Sequence, residues 1–385
     1  MLSFIFDLGG LLPGSIMGIA MHKITNYPTW ILLAYPGVLS LRGILNGLFC
    51  GRLSTALHVG LVTPSLKSNT KHFTKLVILQ LILSTLLSLI MGLLVCGAIV
   101  VALGGRRIVS IVKAYIAVIS TILMATFSTL PISAIVGFWS FRRGIDPDVV
   151  LYPIMSTVAD TVVTTWYVMI IILTIRSILS IPLLIGVISI LLIVFYTKLS
   201  SSIEIHEISY EIKEIAPFFI MLLMLQLVTG LFLRGIESVM GYIITAIMSI
   251  YPILIDSIGD LGSIIGSRLT TAIALGTVKG VRDVLKRGID NYLQAFSALL
   301  LVQFGLSFIP LIEATGKISF TYILRVVFST DMFASLIITI MVFMVVLYAS
   351  RRGYDPDNFV NPVISTIADF VTTVMLYLVV RATRA

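Results

Sequence analysis

Long apolar runs separated by short polar stretches extend along almost the whole chain. A helix needs about 20 apolar residues to cross a bilayer, and on that scale the first half predicts six helices. They fall near residues 2–22, 29–60, 74–102, 112–141, 151–175 and 178–197. After a polar stretch, five more are expected near 216–236, 238–276, 290–312, 320–349 and 358–380. The second segment of each half is long and rich in glycine and hydroxyl residues, so we expect a break within it. The pattern predicts an all-α integral membrane protein with ten or eleven transmembrane helices.

The composition agrees with this class. The 385 residues are 58% apolar even without the 28 glycines, and only 11% are charged, whereas about 25% of a soluble domain is charged. A soluble core could not hide so much apolar surface. The net charge of +8 is explained by basic loops beside anionic lipid headgroups rather than by nucleic acid. Two cysteines exclude a disulfide framework and a cysteine-ligated zinc module.

The chain repeats itself. Residues 142–160 and 351–369 are identical at eleven of nineteen positions at an offset of 209. Upstream, residues 35–60 align with residues 251–276 at an offset of 216. Such internal similarity is typical of transporters built from two related halves.

The repeats predict the domain organisation. We expect a first five-helix repeat over 1–176, a linking helix and polar linker over 177–215, and a second repeat over 216–385. Five crossings end on the face opposite their start, and the helix near 178–197 brings the chain back. The repeats are therefore expected to be parallel, related by a pseudo-two-fold axis along the membrane normal with any pathway on or near it.

Asp160 and Asp369 are the first candidates for function. Each lies inside an apolar helix shortly after a proline, with no Lys or Arg within a turn or two along the chain. A carboxylate at this depth costs at least about 2.5–3.5 kcal/mol to insert and needs a partner. Hydroxyls at helical spacing share the face of each aspartate; they are Ser156, Thr164, Ser365 and Thr373. This pattern suits a hydrated divalent cation, and the alternative is a protonated aspartate hydrogen-bonded between helices.

The second segment of each repeat adds further candidate ligands, and these differ between the two repeats. Asp256 and Asp260 share a helix face in the second repeat, whereas the first repeat offers Arg42 and Asn46 there. The aligned pairs are Ser40 with Asp256, Arg42 with Ile258, Ile44 with Asp260, and Asn46 with Gly262. If these residues line a cation site, its two halves differ.

The sequence contains no enzyme motif: Walker A, GxSxG, HExxH and the GxGxxG fingerprint are all absent. We therefore expect a transporter rather than an enzyme, one that moves a divalent cation across the cell membrane, either downhill or coupled to another ion. Two alternatives remain at this point. One is a proton- or sodium-coupled transporter of another cation or small solute, and the other is a membrane scaffold that transports nothing.

On these residues the chain resembles the MgtE magnesium transporters and their eukaryotic solute-carrier relatives. Pro36, Arg42-Gly43 and Arg52-Leu-Ser-Thr-Ala56 look like the second-helix signature of the solute-carrier branch. The second repeat echoes it with Pro252, Gly259-Asp260 and Arg268-Leu-Thr-Thr-Ala272. The fifth-helix signature is similar to Pro153-Ile-Met-Ser-Thr-Val-Ala-Asp160 and Pro362-Val-Ile-Ser-Thr-Ile-Ala-Asp369, which include Thr157 and Thr366. The resemblance covers essentially the entire chain.

The resemblance implies a pore between two five-helix units and a hydrated Mg²⁺ coordinated by the fifth-helix aspartates. It also implies an oxygen just before the motif proline, at Tyr152 and Asn361. The usual Gly-Asn of the second helix is Gly43-Ile44 in one repeat and Gly259-Asp260 in the other, and we expect Asp260 to compensate.

The expected cargo is Mg²⁺, although the same ligands accept Mn²⁺ or other divalent ions. The expected partners are this ion and the lipid bilayer, with no nucleic acid. Because the two units are fused, one chain is expected to suffice, and a homodimer is the alternative. The expected location is the cell membrane, which the chain crosses several times.

Overall fold

A computed structural model describes residues 8–24, 28–66, 68–103, 108–145, 147–176, 205–241, 244–274, 281–310, 319–352 and 357–384. The chain divides into two compact units. The first unit is Asn26–Leu227, and the second unit combines Met1–Thr25 with Val228–Ala385.

The described residues form eleven α-helices and no strand, which confirms the predicted all-α class. A 3₁₀ turn at Leu8–Gly10 precedes the first of them. The helices are α1 (Leu11–Lys23), α2 (Trp30–His58), α3 (Lys71–Leu103), α4 (Ile108–Arg142), α5 (Pro147–Arg176), α6 (Ile205–Met240), α7 (Ile244–Met248), α8 (Tyr251–Ala274), α9 (Val281–Leu306), α10 (Phe320–Arg352) and α11 (Asp357–Arg384).

Seven of these helices are long and apolar enough to cross a membrane, so the chain is a multi-pass membrane protein. Their apolar spans are Trp30–His58, Lys71–Val101, Ile108–Arg142, Ile154–Arg176, Phe219–Met240, Phe320–Tyr348 and Ile364–Thr383. The first ten residues of α9 carry five charged side chains, and α8 carries three charged side chains along its length. The predicted linking helix near 178–197 lies outside the described residues.

The expected break in the second segment is found in only one unit. In the second unit, α7 ends at Met248 and α8 begins at Tyr251. In the first unit, α2 is one continuous helix, so the predicted break is wrong there. The aligned prolines therefore occupy different helix positions in the two units. Pro252 is the second residue of α8, where a helix start needs no proline N–H, whereas Pro36 lies inside α2.

Each unit is organised around its second-segment helix. In the first unit, α2 packs against α3, α4 and α5; in the second unit, α8 packs against α9, α10 and α11. Apolar side chains from all four helices meet in one core in each unit. The repeat in the sequence is therefore also a repeat of helix packing.

The N-terminal helix packs within the second unit. α1 contacts α7 and α8, and the backbone of α1 at Gly14 approaches the carbonyl of Ser249 so closely that a Cβ would clash with it. The sequence placed this segment in the repeat over 1–176. The proposed domain boundaries near 176 and 215 stay predictions.

Gly262 allows α8 to approach two neighbouring helices, which generates a stability prediction. A Cβ at this position would lie 2.5 Å from Ile364 Cγ2 and 2.7 Å from Ile338 Cγ2. Both methyls belong to stiff β-branched side chains. Gly262→Ala should therefore lower the free energy of unfolding by about 1–3 kcal/mol, measured by thermal unfolding in detergent.

The matched control is Gly43→Ala on α2, where a Cβ meets nothing within 4 Å. Because alanine is the better helix former by about 1 kcal/mol, this variant should be as stable as the wild type or more so. A Gly262→Ala protein at least as stable as Gly43→Ala would contradict the prediction.

Candidate cation site in the membrane helices

In the first unit, the fifth-helix aspartate has a cationic partner. Arg42 Nη2 of α2 donates to Asp160 Oδ1 of α5 in a salt bridge, and Arg42 Nη1 donates to the Ser156 carbonyl at 3.3 Å. Both side chains are nearly inaccessible, at 9% and 4% exposure. No Lys or Arg lies within a turn or two of Asp160 on its own helix, and its cationic partner comes instead from α2. Arg42 is 118 residues away in sequence. A search for charged neighbours along the helix of Asp160 could therefore not identify it.

Asn46 extends this polar contact by one turn of α2. Its amide nitrogen donates to the Met155 carbonyl at 3.4 Å, and its oxygen accepts from Ser133 Oγ at 3.0 Å. Asn46 therefore connects α2 with both α4 and α5 and is buried. In this structure it holds three helices together.

The second unit makes the same helix contacts with apolar side chains. The repeat offsets pair Arg42 with Ile258 and Asn46 with Gly262. Gly262 faces Val342 and Ile364, which are the counterparts of Ser133 and Met155. Helix positions that carry a cation and an amide in the first unit are thus apolar in the second.

A tyrosine–threonine pair recurs in both units. Tyr35 OH lies 3.2 Å from Thr164 Oγ1 in the first unit, and Tyr251 OH lies 2.8 Å from Thr373 Oγ1 in the second. Both threonines are fully buried. Each pair ties the start of the second-segment helix to the fifth helix and fixes the register of α2 on α5 and of α8 on α11.

The three carboxylates predicted in the second unit lie at neighbouring levels of α8 and α11. Two contacts bracket them: the Tyr251–Thr373 hydrogen bond, and the approach of Gly259 to Ser365 and Ala368. Asp256 lies between Tyr251 and Gly259 on α8, and Asp369 lies between Ala368 and Thr373 on α11. Asp260 directly follows Gly259. These three acids are half-buried, whereas Asp160 is 3% exposed.

The other predicted site residues fall into two groups. Ser156, Thr157 and Ser365 are half-buried, and Thr366 is buried. Tyr152 and Asn361 belong to the second turns of α5 and α11, and their side chains lie outside the described part of the structure. A role for these six residues in ion binding stays a prediction.

The described residues contain no group of three or more His, Cys, Asp or Glu side chains that could hold a metal ion. Mg²⁺ keeps several of its waters and is commonly bound through one or two carboxylates. The half-buried acids of α8 and α11 suit a hydrated ion of this kind.

Sequence reasoning missed a further buried acid, Asp331 on α10, which is fully inaccessible. A signal for it exists. At an offset of 209, Ser120-Thr121-Ile122 aligns with Ser329-Thr330-Asp331. Extending the repeat alignment into the fourth helix would have singled out Asp331 as a carboxyl in place of an isoleucine.

Fold and site together define a multi-pass helical membrane protein with acidic side chains inside two related units. The family profile described as "MgtE: Divalent cation transporter" matches residues 35–170 and 251–379, which is more than half of the chain. No curated protein and no solved structure matches the chain. The chain belongs to the MgtE family of divalent cation transporters.

Both matched segments begin at the tyrosine of a recurring tyrosine–threonine pair, Tyr35 or Tyr251. Two tandem MgtE-type units are thereby confirmed. Membership implies transport of divalent cations, Mg²⁺ mainly, across a membrane. It also confirms the expectation that the protein is a transporter rather than an enzyme.

The buried ion pair generates a prediction about coupling. Removing either partner leaves the other charge buried and uncompensated, which costs about 3–5 kcal/mol. Arg42→Ile, which introduces the residue found at this position in the second unit, and Asp160→Asn should each lower the unfolding temperature in detergent. The double variant should lose much less stability than the sum of the single losses. Strictly additive losses would show that the two charges do not depend on each other.

Proposed function

We propose that the protein transports Mg²⁺ across the cell membrane and that the acids of α8 and α11 carry most of the cation binding. In this proposal Asp369 is the central ligand, supported by Asp256 and Asp260. Asp160 binds a cation only when Arg42 moves away from it. The observation that carries the proposal is the difference between the units: the first holds one buried acid paired with Arg42, whereas the second holds three half-buried acids at neighbouring levels of α8 and α11.

Electrostatics favours this division of roles. A positive charge within a few ångströms compensates a carboxylate strongly in a medium of low dielectric constant. The Asp160 carboxylate beside Arg42 therefore attracts a second cation only weakly. Asp256 and Asp260 lie four residues apart on one face of α8, and Asp369 lies at the level of Asp256. Three acids at neighbouring levels bring more negative charge to one region than the single Asp160 carboxylate beside Arg42.

Accessibility supports the same assignment. A hydrated Mg²⁺ needs room for its waters, and Asp256, Asp260 and Asp369 are each half-buried rather than fully enclosed. The buried pair of the first unit offers less space. Ser365 and Thr366 lie one turn before Asp369 on α11, where their hydroxyls would accept hydrogen bonds from the ion's waters.

The rest of the proposal follows the sequence expectations. The pathway between the repeats, the cell membrane as the location and a single chain as the working unit are parts of it. Mn²⁺ is expected to compete with Mg²⁺, because carboxylate and hydroxyl ligands accept both ions.

Ion flux tests the role of Asp369. The purified chain is reconstituted in liposomes that contain a Mg²⁺-sensitive dye, and Mg²⁺ is added outside. Asp369→Asn should reduce the initial flux at least about ten- to a hundredfold, which is the range found when even a group that only hydrogen-bonds to a metal's ligands is lost. The volume of the side chain is almost unchanged, so the loss reports on charge.

The matched control is the double variant Arg42→Ile/Asp160→Asn, which removes the carboxylate together with its own counter-ion. This protein should retain most of the flux. Undiminished flux in Asp369→Asn would overturn the assignment of the second unit. Undiminished flux in Asp160→Asn/Asp369→Asn would overturn cation binding by the fifth helices altogether.

A further inference from the structure

Asp331 interrupts an apolar stripe on α10. Along this face, Val327, Ala334 and Ile338 are fully buried in the cores of the second unit. Asp331 occupies the turn between Val327 and Ala334 and is itself 0% exposed. Neither of its carboxyl oxygens hydrogen-bonds to any atom of the described residues. A buried polar group in that position requires an explanation.

The helix register places Asp331 at the level of the proposed cation-binding acids. On α8, Leu254 shares a cluster with Val327, and Gly262 faces Ile338. Asp331 lies between these two contacts, at about the level of Ser257, whose hydroxyl is also buried without a partner among the described residues. Ser257 directly follows Asp256.

The first unit shows what this position holds when no acid is present. Thr121 and Thr330 are aligned, and each donates its hydroxyl to the carbonyl four residues earlier at 2.7 Å. The next residue is Ile122 in the first unit, 1% exposed, and Asp331 in the second. The two positions are equally buried and follow the same threonine hydrogen bond, so a carboxyl is not required for burial at this position.

We propose that Asp331 is a proton-binding site coupled to the cation: it holds a proton when the acids of α8 and α11 are empty and releases it when a divalent cation binds there. This inference rests on the proposed function. A proton needs a single oxygen, whereas a divalent metal needs about six ligands. Of these two cations, only the proton fits a lone carboxyl in an apolar stripe.

The release of the proton offsets half of the charge that the cation brings. On cation binding, the O–H bond of the Asp331 carboxyl breaks, the proton passes to water, and the remaining carboxylate compensates part of the double positive charge. Binding of a metal near an ionisable group commonly releases protons in this way. An apolar surrounding strengthens the effect, because charges at a given separation interact more strongly there than in water.

The other ionisable groups near this level must be distinguished from Asp331. They are Asp256 and Asp260 on α8, Tyr292 on α9 and Asp369 on α11, while Arg325 on α10 itself is exposed. Tyr292 OH is 3.1 Å from Ser335 Oγ, one turn after Asp331. Substituting Asp331 alone leaves all five groups in place.

Calorimetry in detergent measures the coupling directly. Mg²⁺ is titrated into the purified full chain in two buffers of different ionisation enthalpy, and the difference gives the protons released per ion bound. The wild type should release about one proton per Mg²⁺. Asp331→Asn should still bind Mg²⁺ but release almost none. Asp331→Ile, which copies Ile122 of the first unit, should behave like Asp331→Asn, and thermal unfolding of both variants checks that they are folded.

The outcomes separate this inference from the proposed function. Mg²⁺ binding with equal proton release in the wild type and Asp331→Asn would assign the proton to another acid and overturn the inference alone. Mg²⁺ binding without proton release in the wild type would also overturn it alone. A wild-type protein that binds no Mg²⁺ would overturn the proposed function and this inference together.

Discussion

The Arg42–Asp160 ion pair is the interaction on which the interpretation of both units depends. A carboxylate inside a membrane is tolerated only when another group compensates its charge. In the first unit the compensation is built into the chain, and the two partners are buried together between α2 and α5. In the second unit the helix position of Arg42 is Ile258. The same packing therefore places the two fifth-helix aspartates in different surroundings, with Asp160 buried against Arg42 and Asp369 half-buried.

The two units retain their backbone contacts while their chemistry differs. The tyrosine–threonine hydrogen bond is present in both and fixes the register of the second-segment helix on the fifth helix. About three turns further along the second-segment helix, the Asn46 contacts are polar and the Gly262 contacts are apolar. A duplicated unit can change in this way because packing depends on helix spacing, whereas ion binding depends on a few side chains. One copy can then specialise in stability and the other in the cation.

Much of the fold could be predicted from the sequence, because apolar length and internal repeats are local or periodic signals. The continuous helix through Pro36 could not, since the same proline opens α8 in the second unit. Asp160 and Asp369 could be recognised as intramembrane acids from their own helix. The partner of Asp160 could not, because the contact with Arg42 depends on how two distant helices pack. Asp331 was within reach, but its signal lies in a comparison of the fourth helices.

The position of α1 has a consequence for biosynthesis. Its contact at Gly14 is made with Ser249, roughly 235 residues later along the chain. At about 5–20 residues per second, a ribosome needs roughly 10 to 50 seconds to make that stretch. During this time the first unit can assemble around α2, while the N-terminal helix waits without its final neighbours. Assembly of the second unit therefore includes the capture of a segment that was synthesised before the first unit.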